Sequence, residues 1–528
     1  MAHAKPYPRT SGLQVVWFKR DLRIRDHRPL YEAAQRGPVL PLYIVEPSVI
    51  TADDFSGRHW VFIEQSLREL RQRLADLGQP LVVRQGEVVE VLERLRHAKA
   101  FTLWAHEETG NGITYARDIA VRQWTQAQGI PFVEIPQNGV VRALKNRDAW
   151  AKHWEQRMRM PQAPIPSALT PLPNVDIGVI PTLADLPIAP DPFDAIQLPG
   201  EAAALECLDS FLNVRGADYQ RAMSSPVTAW TTCSRISPHL TWGTIGMRQV
   251  VQATRARRRA VQLLSPEEYA ELPGSWQKAL SSFASRLHWH CHFMQKLESE
   301  PRIEHESFVT AYDGLRQTNP DFLERWALGQ TGYPMVDASM RAVAKTGYLN
   351  FRMRAMLVSF AAYDLWMDWR DFTHTLSRYW LDYEPGIHLS QVQMQSGTQG
   401  INTLRVYSPT KQAQEQDPDG AFIRRWVPEL EAVPGGYIHE PWRMPPLVQQ
   451  EVGCIVGIHY PHPIVDHKTA AKQAKDAVYA VRQLPETRAE AQRVMARHGS
   501  RSRRRRYKTT PTSKPAVKAS PSLFDAKP

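Results

Sequence analysis

The sequence predicts an α/β domain with a parallel sheet, Rossmann-like in type, followed by an all-α domain. Three observations predict it. Short apolar runs alternate with helical stripes at the start of the chain, ten of the 41 prolines fall between residues 161 and 200, and helical spacing dominates after residue 205. The predicted units are residues 1–140 (α/β), 141–205 (proline-rich linker), 206–490 (helical) and 491–528 (unstructured basic tail).

Five apolar runs predict the strands of the first domain. Each is short enough for a buried strand, and a helical stripe with spacings of three and four lies between the second and third. Alternation of strands and helices implies a parallel sheet covered on both faces. No Gly-x-Gly-x-x-Gly follows the first run, so no dinucleotide site is predicted there. The runs are residues 15–18, 39–45, 81–83, 101–104 and 132–135, and the stripe is Trp60, Ile63, Leu67, Leu70 and Leu74.

The second domain is predicted from repeated helical spacing, as in the series Trp366, Trp369, Phe372, Leu376 and Trp380. We expect most of these residues to be core. Proline removes backbone donors and blocks helices, so residues 161–200 are predicted to form an extended linker.

Composition indicates a globular protein, with 528 residues of which 43% are apolar. No stretch of 18 apolar residues predicts a membrane span, and the first residues lack the apolar run of a secretory signal. The four cysteines have no Cys-x-x-Cys spacing, so neither a disulfide framework nor a zinc site is expected. These features favour a cytoplasmic location.

The net charge of +11 is concentrated at the C-terminal end. Residues 497–528 hold ten Lys/Arg and one acid, so 10 − 1 = 9 of the 11 positive charges lie there. Such a segment cannot build a core and is predicted to be unstructured. A tail that contacts nucleic acid and a merely solvated terminus remain equal alternatives. A second basic cluster, residues 255–259, adds support for a polyanionic partner.

An ordered set of motifs lies between residues 331 and 467. With the opening Trp17-Phe18-Lys19-Arg20-Asp21-Leu22-Arg23, it resembles the photolyase/cryptochrome family, flavoproteins that use light to move an electron. The resemblance covers roughly residues 14–482, although the family usually has Asn where His27 stands. The motifs are Thr331-Gly332-Tyr333-Pro334-Met335-Val336-Asp337, Asn350-Phe351-Arg352-Met353-Arg354, Asp417-Pro418-Asp419-Gly420-Ala421-Phe422-Ile423-Arg424-Arg425-Trp426, His439-Glu440-Pro441-Trp442 and Tyr460-Pro461-His462-Pro463.

The resemblance implies bound FAD. The family binds the FAD phosphates with hydroxyls and helix-start amides, and the matching segment here is Cys233-Ser234-Arg235-Ile236-Ser237-Pro238. Taken alone, this segment is more typical of an ordinary helix cap, and the other motifs are what favour FAD. Tyr219 falls near a family tyrosine beside the flavin.

Three further residues match flavin-contacting positions of the family: Arg354, Asp382 and Glu384. An Arg–carboxylate pair there would hold the flavin ring and tune its electronics, and a structural salt bridge is the alternative. His388 matches the residue that faces flavin N5, usually Asn. A histidine that titrates near neutrality would change which flavin radical is stable, and a structural histidine is the alternative.

The route by which the family reduces its flavin is broken in this chain. The family uses three tryptophans, of which only the middle one, Trp369, remains. Val392 stands at the proximal position and Arg316 at the distal one. Another route is left open, with the candidates Trp289, Trp366, Tyr348, Tyr383 and Trp380.

The substrate side also departs from the family. Pyrimidine-dimer photolyases have a Trp-Arg-Glu-Phe segment, whose Trp stacks on the flipped lesion. Residues 286–293 match this segment. One register keeps its Trp as Trp289, and another register keeps its Arg as Arg286 instead. The lesion contacts implied are Trp289, His290 and Met394. Since the region reads as helix, the histidines at 288, 290 and 292 would spread around it, and no metal site is predicted. Phe351 and Ala355 replace the two histidines of (6-4) photolyases.

The resemblance implies a DNA photolyase that splits UV-induced pyrimidine dimers with an electron from excited reduced FAD, with His388 and Trp369 in the catalytic roles. The expected partner is UV-damaged DNA, without membrane association, and the expected state is a monomer. The α/β domain of the family can hold an antenna chromophore, and residues 106–111 lie after the fourth strand, where ligands commonly bind; whether this chain binds an antenna, and which one, is left open. Two alternatives stand: a cryptochrome-type blue-light receptor without repair, and a light-independent flavin or nucleic-acid-binding protein.

Overall fold

A computed structural model describes residues 12–194 and 196–500. Its first domain is built on a five-stranded parallel sheet in the order β3-β2-β1-β4-β5. All five strands fall where the apolar runs predict them, because a sheet covered on both faces needs continuous apolar strands. The strands are β1 (Leu13–Phe18), β2 (Val39–Val45), β3 (Val82–Gln85), β4 (Phe101–His106) and β5 (Phe132–Ile135).

Helices connect the strands and pack on both faces of the sheet. The predicted stripe from Trp60 to Leu74 lies on the buried side of the longest of them, which confirms that prediction. The helices up to residue 160 are α1 (Arg28–Ala34), α2 (Pro47–Ile50), α3 (Gly57–Asp76), α4 (Val88–Ala98), α5 (Gly112–Ala127) and α6 (Trp150–Arg159).

The crossover between the domains differs from the predicted linker of residues 141–205. It contains α6, whose Trp150, Trp154 and Met158 are buried at a spacing of four, and the next helix already starts at Glu201. This helix forms because residues 147–160 contain no proline and present one apolar face. In the described part of residues 161–200, one short 3₁₀ turn, Leu183–Asp185, is the only helical element in the extended chain, as the prolines predict.

The second domain is all-helical, with one large core that contains Trp369, Phe372, Leu376 and Trp380. Trp366 is an exception to the predicted helix, because a π-helical turn, Phe360–Asp364, ends just before it and its φ is +52°. The helices are α7 (Glu201–Ser210), α8 (Tyr219–Ala222), α9 (Ala229–Thr232), α10 (Ser237–Thr241), α11 (Met247–Gln262), α12 (Pro266–Glu271), α13 (Trp276–Ser299), α14 (Pro320–Ala327), α15 (Pro334–Thr346), α16 (Phe351–Ser359), α17 (Trp369–Tyr379), α18 (Pro385–Ser396), α19 (Pro409–Gln416), α20 (Ala421–Trp426), α21 (Pro446–Glu451), α22 (His467–Gln483) and α23 (Pro485–His498).

The C-terminal boundary also differs from the prediction. Helix α23 runs to His498 and buries Val494 and His498, so residues 491–500 belong to the folded domain and not to the tail. The rest of the predicted tail, residues 501–528, lies outside the described residues. All four cysteines are free thiols, as expected. Within the described ranges no helix is long and apolar enough to cross a membrane.

Candidate flavin site

Arg354 and Asp382 form the bidentate pair that the motifs predict. The Nη1 and Nη2 atoms of Arg354, on α16, donate to the two oxygens of Asp382 at 2.9 and 3.1 Å. Burial alone would raise the pKa of Asp382, but Arg354 and the Ser237 hydroxyl, which also donates to it, lower that pKa below its usual value. Asp382 is therefore an anion that joins α10 to α16.

The predicted phosphate loop, residues 233–237, is held from one side. Arg215 donates to the carbonyls of Cys233 and Ser234, and Gln197 donates to the carbonyl of Arg235 at 2.7 Å. In a trans peptide the N–H lies opposite the carbonyl, so the amides of Arg235 and Ile236 face away from these donors. The Ile236 amide donates a long hydrogen bond to Ser234 Oγ at 3.5 Å, so the Arg235 amide is the donor of the two that is better suited to an anion.

Arg235 itself has an unusual conformation. Its φ is +57°, in the left-handed region. Its guanidinium lies between two rings, 3.8 Å from the centroid of Tyr348 and 4.5 Å from that of Trp230, and its buried Nε has no partner in the described structure. The left-handed backbone and the buried donor without a partner make this loop a candidate binding site.

Tyr219 lies beside the same loop. It is buried against Phe283 and Phe211 and hydrogen-bonds to Arg286, and burial raises its pKa well above the usual range. Tyr219 interacts electrostatically with Cys233, and the structure thus brings Tyr219 close to residues 233–237.

His388 is neutral and has a defined tautomer. Its Nε2 lies 3.1 Å from the carbonyl of Thr373 and 2.8 Å from the hydroxyl of the same residue. A carbonyl only accepts, so Nε2 carries the hydrogen and Nδ1 carries a lone pair. Burial lowers the pKa of His388 to about 4. The expectation that this histidine titrates near neutrality is therefore wrong.

Glu384 does not join the Arg354 pair but reaches across to the first domain. Its Oε2 lies 3.1 Å from Nη2 of Arg20, a residue that follows β1 and also donates to the carbonyls of Thr241 and Tyr383. Burial raises the pKa of Glu384 to about 7. No local sequence pattern relates Arg20 to this site.

His290 faces the same side as Glu384. Both line an interdomain cavity of about 420 Å³, in part open to solvent, and each has one buried polar atom without a partner among the described residues, Nδ1 of His290 and Oε1 of Glu384. Burial lowers the pKa of His290 to about 4. The cavity therefore offers two unsatisfied polar atoms to a ligand or water.

The other two predicted lesion contacts lie apart from His290. Trp289 is half-buried on α13, and its ring is 4.8 Å from His292 and 5.7 Å from Phe293, centroid to centroid. Met394 is half-buried near the end of α18. Successive residues on a helix point about 100° apart, which separates Trp289 from His290.

The three histidines of α13 spread around the helix, as predicted. His288 packs on Trp150 and Trp154, and His292 contacts Arg147, whereas His290 faces Glu384. Among the described residues, the group whose atoms lie close enough to hold a metal ion does not include any of these three histidines.

Trp369 is buried, and its Nε1 donates to the Ser307 hydroxyl at 3.1 Å. The Arg316 guanidinium stacks on Trp366 at 4.9 Å, and Val392 is buried in the core. The positions that break the family's tryptophan route are thus filled by a cation and an aliphatic side chain.

A second cavity lies at the carboxyl ends of β1, β2 and β4, with a volume of about 820 Å³, in part open to solvent. Glu108, Gly110 and Asn111 of the predicted antenna segment line it. Sequence reasoning missed its charged wall, in which Arg117 bridges Glu46 and Glu108 at 3.0 and 2.5 Å. Burial raises the pKa of Glu46 to about 7. The position of Glu46 directly after β2 was the signal available.

His106 does not line this cavity but belongs to a buried triad. Asp21 Oδ2 lies 2.9 Å from His27 Nε2 and 2.7 Å from His106 Nδ1, a geometry that could hold a metal ion. His27 Nδ1 accepts from the amide of Leu30, so its Nε2 donates to Asp21. Hydrogen bonds therefore account for the triad, which ties β1 and β4 to α1.

Comparisons with known proteins agree with this architecture. A family model described as the FAD binding domain of DNA photolyase matches residues 283–480, and one described as DNA photolyase matches residues 14–156. The deoxyribodipyrimidine photo-lyase of Escherichia coli is 28% identical and is covered over 98% of its length by 89% of this chain. A cryptochrome DASH of Natronomonas pharaonis is also 28% identical, with 98% of it and 86% of this chain covered.

Solved structures show the same fold. The crystal structure of a bacterial class III photolyase from Agrobacterium tumefaciens matches with a TM-score of 0.76 at 26% identity, over 92% of this chain and all of that one. A cryptochrome of Synechocystis matches with a TM-score of 0.76 at 23% identity, over 90% of this chain. Fold and site together define a two-domain FAD-binding flavoprotein. The chain belongs to the photolyase/cryptochrome family.

The residues present fit FAD. The cofactor is a dianionic diphosphate joined to a planar ring with hydrogen-bonding edges. The outward amide and unsatisfied Nε of Arg235 suit the diphosphate, and the Arg354–Asp382 pair with neutral His388 suits the ring edge.

Proposed function

We propose that the protein is a light-dependent DNA-repair flavoprotein of the deoxyribodipyrimidine photolyase type. The observation that carries the proposal is the charge-paired site of Arg354, Asp382 and Ser237 beside a loop with outward amides. Relatives named photo-lyase that match nearly the whole chain support the same reaction class.

Each proposed flavin contact has a distinct role. Ser234, Arg235, Ile236 and Ser237 hold the diphosphate, with Tyr219 packed behind them. Arg354 and Asp382 fix the ring. His388 offers the Nδ1 lone pair, and so accepts a hydrogen bond from a flavin N–H without changing its own protonation at neutral pH.

Bound FAD, reduced and excited by light, supplies the electron that splits the bonds joining the two bases. The chain's part is to bind the flipped lesion and exclude water. Trp289 offers a half-buried ring on which a base can stack, with Met394 as a further apolar contact. His290, on the interdomain side, acts behind the flavin rather than against the DNA.

The cavity at the strand ends is proposed to hold the second chromophore. Its place at the carboxyl ends of the strands and the unsatisfied Glu46 Oε2 suit a ligand with a hydrogen-bonding edge. The expected partner is UV-damaged DNA, bound by a cytoplasmic monomer.

A cryptochrome-type receptor without repair is the second candidate. The observation that favours it is the loss of the tryptophan route, with Arg316 and Val392 at two of its three positions. His388, which replaces the family's usual Asn at the position that faces flavin N5, also favours this candidate.

The test uses purified protein with flavin confirmed by absorption. Oligonucleotides with one defined lesion each are illuminated with blue light, with reductant, beside samples kept dark. We expect light-dependent restoration of one lesion. Flavin photoreduction without repair of any lesion would establish the receptor instead, and the absence of any light-induced change would favour the light-independent alternative.

A further inference from the structure

Tyr383 spans the boundary between the two domains. Its hydroxyl donates to Oδ2 of Asp54 at 2.7 Å, and the same oxygen accepts from Nδ2 of Asn111 at 2.9 Å. Asp54 lies in the loop before α3 of the α/β domain, whereas Tyr383 lies between α17 and α18. A buried phenol is thus joined to a carboxylate that is itself held in place.

The ring of Tyr383 touches the flavin site on its other side. It packs edge-on against His388, with 5.3 Å between the centroids, and stacks on His59 at 6.2 Å. Tyr383 also lines the cavity at the strand ends. It therefore stands between the proposed flavin and the second cavity, and touches the walls of both.

Electrostatics distinguishes Tyr383 from the tryptophans nearby. A guanidinium carbon lies 4.2 Å from the ring of Trp380, 4.9 Å from Trp366 and 5.1 Å from Trp369. A positive charge over a ring opposes removal of an electron from it, because the product is a cation, and the carboxylates paired with Arg354 and Arg370 offset part of this effect at Trp380 and Trp369. Removal of an electron from Tyr348 is opposed in the same way, because the guanidinium carbon of Arg235 lies 3.8 Å from its ring centroid.

The phenol of Tyr383 lies among acids, and a nearby cation, Arg20, binds the backbone carbonyl of Tyr383 and pairs with Glu384 instead of lying over the ring. Asp54, Glu304 and Glu384 lie near its phenol, and burial together with these acids holds its pKa well above the usual range. Within the described ranges no cation lies over its ring. Trp289 also has no cation over its ring among the described residues. Its ring contacts, however, are His292 and Phe293, and neither of them is a carboxylate like Asp54.

A phenol gives up an electron readily only when its proton leaves as well. Asp54 lies at 2.7 Å, within the range for proton transfer to a base. We propose that Tyr383 donates one electron to photoexcited oxidised flavin while its phenolic proton passes to Asp54. The O–H bond breaks, the carboxylate gains the proton, the flavin gains the electron, and a neutral tyrosyl radical remains. An external thiolate then gives one electron to the tyrosyl radical and becomes a thiyl radical, two of which combine to a disulfide, and Asp54 returns the proton to the phenol.

This inference rests on the proposed flavin site. The test uses the full flavin-loaded chain in its oxidised form with ring-deuterated tyrosine. Electron paramagnetic resonance during illumination identifies the radical, and flavin absorption follows its photoreduction. The variants are Tyr383→Phe, which keeps the ring, and Asp54→Asn. The matched control is Tyr379→Phe, a neighbouring tyrosine that contacts Arg58.

We expect a tyrosyl signal that narrows on deuteration in the wild type and in Tyr379→Phe and that is absent from Tyr383→Phe. Photoreduction should slow at least about tenfold in both Tyr383→Phe and Asp54→Asn, which corresponds to about 1.4 kcal/mol of barrier. Unchanged flavin absorption and thermal unfolding would show that the variants fold.

A tyrosyl signal that survives in Tyr383→Phe, a tryptophanyl signal in the wild type, or flavin that is bound but not photoreduced would overturn the proposal and leave the flavin site standing. Protein that binds no flavin would instead refute the proposed function.

Discussion

The cavity at the strand ends and the flavin site in the helices differ in how completely their buried polar groups are paired. In the first, Lys19, Arg117 and Arg142 are paired with Glu46, Glu108, Asp118 and Glu134 in one network. In the second, one closed pair, Arg354–Asp382, stands among polar atoms without partners on Arg235, His290 and Glu384. Unpaired polar atoms are costly when buried. The first wall is thus stabilised mainly by its own ion pairs, with Glu46 Oε2 and Arg142 Nε left without partners among the described residues, whereas the second leaves polar atoms of three residues for a ligand to satisfy.

The largest effect is expected from breaking the paired network. Arg117→Met removes the partner of three acids, and buried charges left alone cost about 3–5 kcal/mol. We expect that loss of unfolding free energy in denaturant, with flavin content per folded protein unchanged. Loss of flavin from folded protein would show that the two regions are not separate.

Arg354→Gln makes the complementary change in the flavin site. It leaves Asp382 without its bidentate partner and should cost about 3 kcal/mol of stability. Unlike Arg117→Met, it should also abolish flavin binding, measured by absorption after gel filtration. Arg68→Gln, which removes the exposed Arg68–Glu64 pair, is the control and should cost less than about 1 kcal/mol. Full flavin content in Arg354→Gln would contradict the site.

The stability of the flavin site should depend on pH because Glu384 titrates there. Its pKa rises from about 4.5 in the unfolded chain to about 7 in the folded protein because it is buried. The folded state therefore binds more protons between these values, and this contribution to stability is present below pH 4.5 and is lost as the pH rises through 7. Relative to Glu384→Gln, the wild type should lose about 3 kcal/mol between pH 4.5 and 7.5. Parallel pH profiles of the two proteins would contradict the burial argument.

The protonation state of His388, in contrast to that of Glu384, should not change near neutral pH. Since its folded pKa is about 4, it stays neutral from pH 5.5 to 8, so any pH dependence of the light-induced flavin radical spectrum over that range comes from other groups such as Glu384 and should be the same in the wild type and in His388→Asn. His388→Asn should change the spectrum at every pH in it. An unchanged spectrum in this variant would remove His388 from the flavin's surroundings.

The smallest effect is expected at the substrate side. Trp289→Ala should weaken binding of lesion-containing DNA by about 1–3 kcal/mol, the worth of one stacked base. Binding of undamaged duplex should change little. Trp124→Ala, in the α/β domain, is the control and should leave both affinities unchanged. Equal weakening for damaged and undamaged DNA would place Trp289 outside the lesion pocket.

The sequence was most informative where structure is local or where motifs are long. The five strands follow from continuous apolar runs, and the Arg354–Asp382 pair follows from the family motifs. Helix α6 had a readable stripe at Trp150, Trp154 and Met158, but the density of prolines after it favoured a linker.

Contacts between the domains could not be predicted. Tyr383 and Asp54 are 329 residues apart, and Arg20 lies 363 residues from the carbonyl it binds on Tyr383. No periodicity relates such partners, because the packing of two separately folded units brings them together. The protonation of His388 and Glu384 was inaccessible for the same reason, since burial sets their pKa values.

The most direct test counts pyrimidine dimers restored per protein after blue illumination, for the wild type and Arg354→Gln side by side, with dark samples of each. The account predicts restoration by the flavin-loaded wild type in light only, and neither flavin nor restoration in the variant. Restoration by flavin-free Arg354→Gln, or no restoration of any lesion by fully loaded and reduced wild type, would contradict it.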